Sequence, residues 1–284
     1  EKTRAYYGES CPNPSLRIFP IKEVADIGRK HGIPLIIDNT AAPVICRPLE
    51  HGAAVVMHSL TKYIGGHGTT IGGIIVDGGN FDWAANPKKQ PLFNEPDPSY
   101  NGAIWGRDVP KMTGANVAFA IRARVVLLRD LGAPLSPFNA FQIIQGLETV
   151  AIRMKQHCAN AEKVVKFLET QKKVKNVIYP TNHQGEIRDR AKRYMKGGYG
   201  SLVGMDLGSL EAGSKFIDNL KLLYHVANIG DARSLAIHPA STTHGQLNEK
   251  QLAEAGVTPG YVRLSIGIEH PDDIIADIEQ ALAA

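Results

Sequence analysis

Residues 53–68 read Ala53-Ala54-Val55-Val56-Met57-His58-Ser59-Leu60-Thr61-Lys62-Tyr63-Ile64-Gly65-Gly66-His67-Gly68. The apolar run at the front is too short for a helix, and it is apolar at successive positions rather than along one face. That pattern fits a strand buried on both sides. Two similar runs flank it, Pro34-Leu35-Ile36-Ile37-Asp38 before and Gly73-Ile74-Ile75-Val76 after. An amphipathic helix pattern over 21–31 precedes the first of them, and a Pro/Asn loop at 11–20 precedes that helix. Buried strands alternating with helices predict an α/β fold whose large domain is built on a mostly parallel sheet.

Thr3-Arg4-Ala5-Tyr6-Tyr7 predicts a further strand almost at residue 1. A domain opening inside a strand is expected to lack an upstream segment, as a fragment, a processed chain or one piece of a split protein would. From Gly78 to Gly114 the chain is rich in Pro, Asn, Asp, Gly and aromatics and reads as a long excursion. Helices are expected at about 115–130 and 138–170, the second long enough to bridge two domains. Strands near 174–179, 200–207 and 261–268, a helix near 211–220, and a final helix after His270-Pro271-Asp272-Asp273 make a smaller α/β or α+β domain. The expected division is 1–148 for the large domain and 149–284 for the small one.

A net charge of +4, with both signs mixed along the chain, provides no electrostatic footprint for nucleic acid. No apolar run reaches the roughly 18–20 residues of a membrane span, and no signal peptide opens the sequence. Cys11, Cys46 and Cys158 are odd in number and lack CxxC spacing. They suggest neither a disulfide framework nor a zinc site, and they fit a reducing, cytoplasmic compartment.

Lys62 follows a buried strand and precedes a glycine-rich turn. A dry position of that kind depresses a lysine pKa, as a Schiff-base lysine requires. Ser59 and Thr61 can donate hydrogen bonds to a phosphate. Asp38 closes its own strand at the carboxyl end, where open α/β sheets bind ligands, and an aspartate there can keep a pyridine nitrogen protonated. Each feature alone has a plainer reading. Lys62 could be a solvated lysine beside a turn, and Asp38 a helix cap. Arg263 fits a surface or salt-bridge residue, Asn13 between prolines a turn former, and Cys11 a small packed residue rather than a nucleophile. His67, His238 and His244 match no usual metal-ligand spacing, so no metal is expected.

Taken together, Glu9-Ser10-Cys11-Pro12-Asn13-Pro14, Asp38-Asn39-Thr40 and Ser59-Leu60-Thr61-Lys62-Tyr63 resemble, in order, motifs of the Cys/Met-metabolism family of fold-type-I pyridoxal-phosphate enzymes. Further matches are Gly230-Asp231-Ala232-Arg233-Ser234-Leu235, His238-Pro239-Ala240-Ser241-Thr242-Thr243-His244 and Val262-Arg263-Leu264-Ser265-Ile266-Gly267. The resemblance implies pyridoxal 5'-phosphate as cofactor, attached at Lys62, which then serves as the mobile acid/base. It implies Asp38 on the pyridine nitrogen, Asn13 on the ring hydroxyl, Ser59 and Thr61 on the phosphate, and Thr40 in support. Arg263, helped by the backbone at Ser234, would clamp the substrate α-carboxylate.

Within the family, the insertion from Gly79 to Tyr100 and the neighbourhood of Arg129 resemble O-acetylhomoserine sulfhydrylases. Arg233 is a weaker pointer to the same subgroup. The implied reaction is γ-replacement on O-acetyl-L-homoserine by sulfide or a small thiol, giving homocysteine. A methionine γ-lyase or cystathionine γ-synthase is the runner-up, and a non-catalytic assembly partner the reading of another class. The resemblance implies a homo-oligomer, a dimer of dimers, with the site at a subunit interface. Family members also carry an N-terminal region with a phosphate loop and a ring-stacking aromatic. Without it, these residues are expected to bind cofactor weakly.

Overall fold

A computed structural model describes residues 2–243, 245–247, 251–252 and 256–284. In its first sheet, β1 (Tyr6–Glu9), β2 (Leu35–Asp38), β3 (Val55–Ser59) and β4 (Gly73–Asp77) lie side by side in sequence order. The first three strands are parallel, with Glu9 opposite Asp38 and Asp38 opposite Met57, so their carboxyl ends share one edge of the sheet. Helix α1 (Ile21–Lys30) makes the crossover between β1 and β2 and buries Ile21, Ala25 and Gly28.

β4 departs from the expectation on two counts. It runs antiparallel to β3, and its apolar residues are not buried: Ile74, Ile75 and Val76 are 45%, 46% and 39% exposed. An edge strand has one neighbour, and the contact α4 makes with β4 leaves these three side chains exposed. An apolar run reports what a strand can bury, not that a partner is at hand.

The excursion after β4 is more ordered than its composition suggests. It contains the short helix α2 (Pro91–Asn94) and helix α3 (Trp105–Thr113). Trp83 stacks on Phe119 at 5.2 Å and meets Phe93 at 4.6 Å, and this aromatic cluster packs with Val55 and Ile36 on the sheet. Large rings bury enough area to offset a turn-rich backbone. The helical stretch that follows is interrupted: α4 (Ala118–Arg122), a π-helical segment (Ala123–Leu128), then α5 (Arg129–Leu131).

Helix α6 (Pro137–Leu168) starts at Ser136, whose hydroxyl accepts from the Asn139 N–H, with Pro137 in the first turn. Its 32 residues serve two cores in succession. Ile143, Val150, Met154 and Cys158 pack with the first sheet. Ala161, Val164, Val165 and Leu168 pack with the second. The second sheet has the order β5 (Asn176–Ile178), β6 (Leu202–Asp206), β9 (Tyr261–Ser265), β8 (Leu235–Ile237), β7 (Tyr224–His225), and only its β7–β8 pair is parallel. Helices α8 (Leu210–Asn219) and α9 (Pro271–Ala283) lie on it. The sequence reading has no counterpart for α7 (Gly185–Tyr194), β7 or β8. α7 buries only Ala191 and Tyr194 among charged neighbours, and β7 spans two residues, so neither carries a usable period.

Candidate active site

Asp38 and Ser59 stand at the carboxyl ends of adjacent parallel strands, and Thr40 ties them together. Its N–H donates to Asp38 Oδ1 at 2.8 Å, and its Oγ1 accepts from the Ser59 N–H at 2.7 Å. The second carboxylate oxygen of Asp38 meets the Tyr7 hydroxyl at 3.4 Å. Burial, then the negative charge of Asp38, raises the Tyr7 phenol pKa. The Ser59 hydroxyl makes no hydrogen bond among the described residues. Thr61 differs: its Oγ1 accepts from the Gly72 N–H at 3.1 Å and contacts the Gly72 carbonyl at 3.4 Å, fastening the lysine turn to the strand that follows.

The turn after Lys62 is built by its own backbone and by one distant arginine. The Gly65 N–H donates to Leu60 O at 2.8 Å and the Gly66 N–H to Lys62 O at 2.7 Å. Arg153, buried on α6, donates to Tyr63 O at 2.6 Å, Ile64 O at 3.0 Å and Gly146 O at 2.7 Å. Gly66 sits at φ +74° directly above that guanidinium, where a Cβ would lie 2.2 Å from Nη1. Glycine is required there both for the left-handed backbone and for the close approach. On the far side, the Ala232 N–H donates to Gly66 O at 2.8 Å, joining the turn to the segment before β8.

Lys62 is half-buried, and its Nζ donates to Asn228 Oδ1 at 2.5 Å. Burial, then the nearby Arg263 charge, lowers its pKa. Arg263 lies on β9 and donates from Nη2 to the backbone carbonyl of Asn228 at 3.0 Å, while its Nε is buried without a partner. Burial lowers the guanidinium pKa too. Among the described residues neither cation has an ion-pair partner.

Ser234 sits differently from the expectation that its backbone is open to a ligand. Its N–H donates to Glu269 Oε1 at 2.6 Å and its hydroxyl to Oε2 at 2.9 Å, while its Oγ accepts from the Gly267 N–H at 2.8 Å. With both polar groups occupied, it braces the end of β9. Asn13 lies in an exposed turn beyond β1. That turn is attached to β9 through the Tyr261 hydroxyl, which donates to Pro14 O at 3.2 Å.

The fold thus gathers Lys62, Arg263, Asp38, Thr40 and Ser59 from two strand ends, the middle of β9 and one turn. The sequence assigns no site role to Asn228 or Arg153. Asn228 is separated from Lys62 by 166 positions and carries no spacing signal, and Arg153 falls at an ordinary helical position. His67 contacts Gly65 O, and His238 contacts Ser241 and Pro259. His244 lies outside the described residues. Among the described residues no group of three His, Cys, Asp or Glu is placed to share a metal ion.

Chemically, this arrangement offers an amine of lowered pKa, a carboxylate at a strand end, a free hydroxyl and a half-buried guanidinium without an ion-pair partner. It suits a ligand with a carbonyl, a basic nitrogen and anionic groups.

Comparison with known proteins points the same way. A relative from Leptospira meyeri, named O-acetyl-L-homoserine sulfhydrylase, is 50% identical over 99% of this chain. A homocysteine synthase of Schizosaccharomyces pombe is 44% identical over 99% of it. The chain spans 65% of the length of both relatives. A solved structure from Campylobacter jejuni, assigned as an O-acetylhomoserine (thiol)-lyase and carrying a pyridoxyl-lysine monophosphate, superposes with a TM-score of 0.90 at 40% identity. That match covers 99% of this chain and 66% of the solved one. The model of the Cys/Met metabolism PLP-dependent enzymes matches residues 1–283, and the chain belongs to that family.

Proposed function

We propose that this chain holds pyridoxal 5'-phosphate at Lys62 and serves γ-replacement on O-acetyl-L-homoserine, with sulfide or a small thiol as second substrate and homocysteine as product. What carries this reading is the pair of unpaired cations, Lys62 and Arg263, held on the two faces of Asn228. A half-buried guanidinium whose buried Nε lacks a partner fits an anionic ligand, because leaving such a donor unpaired costs about 1–3 kcal/mol. The names of the relatives supply the choice of substrate.

When bound, the cofactor supplies an electron sink for the pair released at the substrate Cα. The rest is work for this chain. Lys62, its pKa lowered, would hold the cofactor through its amine; once freed, it would take the Cα proton and serve proton removal at Cβ as acetate leaves Cγ, then return protons to Cβ and Cα after the sulfur has bonded to Cγ. Asp38, fixed by the Thr40 N–H, holds a proton at the pyridine nitrogen. The Ser59 hydroxyl and the Thr61 turn contribute to the phosphate site, and Asn13 to the ring hydroxyl. Arg263 aligns the α-carboxylate so that Cα stays within reach of Lys62.

The two sheets, each with its own core, support a division into a cofactor-binding part over 1–148 and a small part over 149–284. Three free, buried cysteines support a cytoplasmic setting. The exposed Ile74, Ile75 and Val76 of β4 and the exposed Phe138, Phe141 and Ile144 on α6 support a homotetramer in which this surface is covered.

The test is an intact mass after borohydride reduction with pyridoxal phosphate, followed by turnover assays. A gain of one cofactor that Lys62→Ala abolishes is expected, together with sulfide-dependent consumption of O-acetylhomoserine. Turnover of methionine or cysteine alone would transfer the assignment to a γ-lyase. A chain with no reducible adduct would be a non-catalytic partner.

A further inference from the structure

We infer that Asn228 is a positioning residue that couples the substrate-carboxylate guanidinium to the catalytic lysine. The inference deepens the function proposed above and rests on Lys62 and Arg263 having the roles given there.

Asn228 belongs to the segment that leaves β7 and returns to β8, remote in sequence from both of its cationic partners. Its side-chain oxygen accepts from Lys62 Nζ at 2.5 Å, and its backbone oxygen accepts from Arg263 Nη2 at 3.0 Å. One residue therefore brackets the two cations, with no carboxylate between them among the described residues. The geometry is fixed from several directions. The Gly230 N–H donates to Ser265 Oγ at 3.0 Å, Gly230 packs against Tyr63, and the Ala232 N–H donates to Gly66 O. These contacts anchor the backbone around Asn228 both to the lysine turn and to β9. The Asn228 amide nitrogen faces Gly68, where a Cβ would lie 3.8 Å away. That leaves the carbonyl oxygen turned to Lys62.

Two consequences follow from elementary chemistry. An amide oxygen stabilises an ammonium without neutralising it, so Lys62 is held in place yet released readily when it must carry a proton. The guanidinium opposite disfavours that ammonium, so an anion arriving on Arg263 removes the repulsion and strengthens Lys62 as a base. Carboxylate binding is thereby registered at the proton-carrying group once the substrate amino group has freed it.

The test reads the lysine directly, in the whole cofactor-free chain. Reductive methylation with formaldehyde and cyanoborohydride, quantified at Lys62 by peptide mass spectrometry across pH, reports how much free amine is present. Asn228→Ala should speed labelling at fixed pH by about tenfold, the lower end of a hydrogen bond to a charged group. Asn228→Asp, which places a carboxylate beside the ammonium, should slow it by a similar factor. Acetate, used as a carboxylate probe, should slow Lys62 labelling in wild type and leave Arg263→Met unchanged. Melting curves confirm folding, and Asn228→Asp keeps the test alive should the alanine variant fail to fold. Equal labelling midpoints in wild type and both Asn228 variants, or an acetate response that persists in Arg263→Met, would overturn the inference. Failure of wild type to form a reducible pyridoxal phosphate adduct would instead overturn the function on which it rests.

Discussion

Replacing Arg153 by methionine separates the lysine turn from the helix beneath it. Methionine keeps an apolar stem like that of arginine but lacks the guanidinium, so the dominant change is the loss of donors. Three carbonyls lose a partner, those of Tyr63, Ile64 and Gly146. Gly146 lies inside α6, so its carbonyl retains a helical acceptor role. The Tyr63 and Ile64 carbonyls are in the turn. A buried group stranded without a partner costs about 1–3 kcal/mol, so two amount to roughly 2–6 kcal/mol. Against that, the variant no longer desolvates a guanidinium, whose pKa burial already lowers. A net loss of about 3 kcal/mol is expected in urea unfolding, falling to about 1–2 kcal/mol for Arg153→Lys, which can still serve one carbonyl. Hydrogen exchange at the Gly65 and Gly66 amides, which close the turn onto Leu60 and Lys62, should accelerate in step. An Arg153→Met protein within about 0.5 kcal/mol of wild type, with unchanged exchange at both amides, would refute the idea that this arginine holds the turn.

Stability should also fall as the pH is lowered through the range set by His157. Burial depresses the pKa of this imidazole from 6.5 to about 4, and its Nδ1 lies 2.7 Å from Ile266 O. Its folded pKa is below its unfolded one, so the unfolded chain binds the proton first. About 3 kcal/mol of stability is therefore present above pH 6.5 and lost as the pH falls through about 4. Urea midpoints for His157→Gln should show a shallower acid slope, and a slope equal to that of wild type would exclude His157 as its source. Asp277, buried on α9, accepts from the Lys221, Leu222 and Leu223 amides at 2.9, 2.8 and 3.0 Å. Asp277→Ala should cost about 3 kcal/mol and speed exchange at those amides, whereas an unchanged exchange pattern would show that the loop is held otherwise.

The legible part of this protein is the part written in short, local patterns. Val55–Ser59 and Leu35–Asp38 declare themselves by continuous apolar character, because strands covered on both faces require it. Lys62, Asp38 and Arg263 sit in long motifs, so their places at strand ends and turns follow from the order of residues along the chain. The sequence by itself therefore determined the α/β class of the first sheet and the family to which the chain belongs.

What joins distant stretches required the tertiary structure. Gly73–Asp77 has the same composition as its neighbours, yet it is an exposed antiparallel edge, since burial depends on what lies beside a strand and composition does not record that. Ser234 faces Glu269 rather than open space, a pairing across 35 positions that only the packing of the second sheet creates. Asn228 and Arg153 meet the lysine turn from 166 and about 90 positions away. Hydrogen bonds over such separations leave no period or spacing in one sequence, and only the packing of the two sheets around α6 brings them into contact.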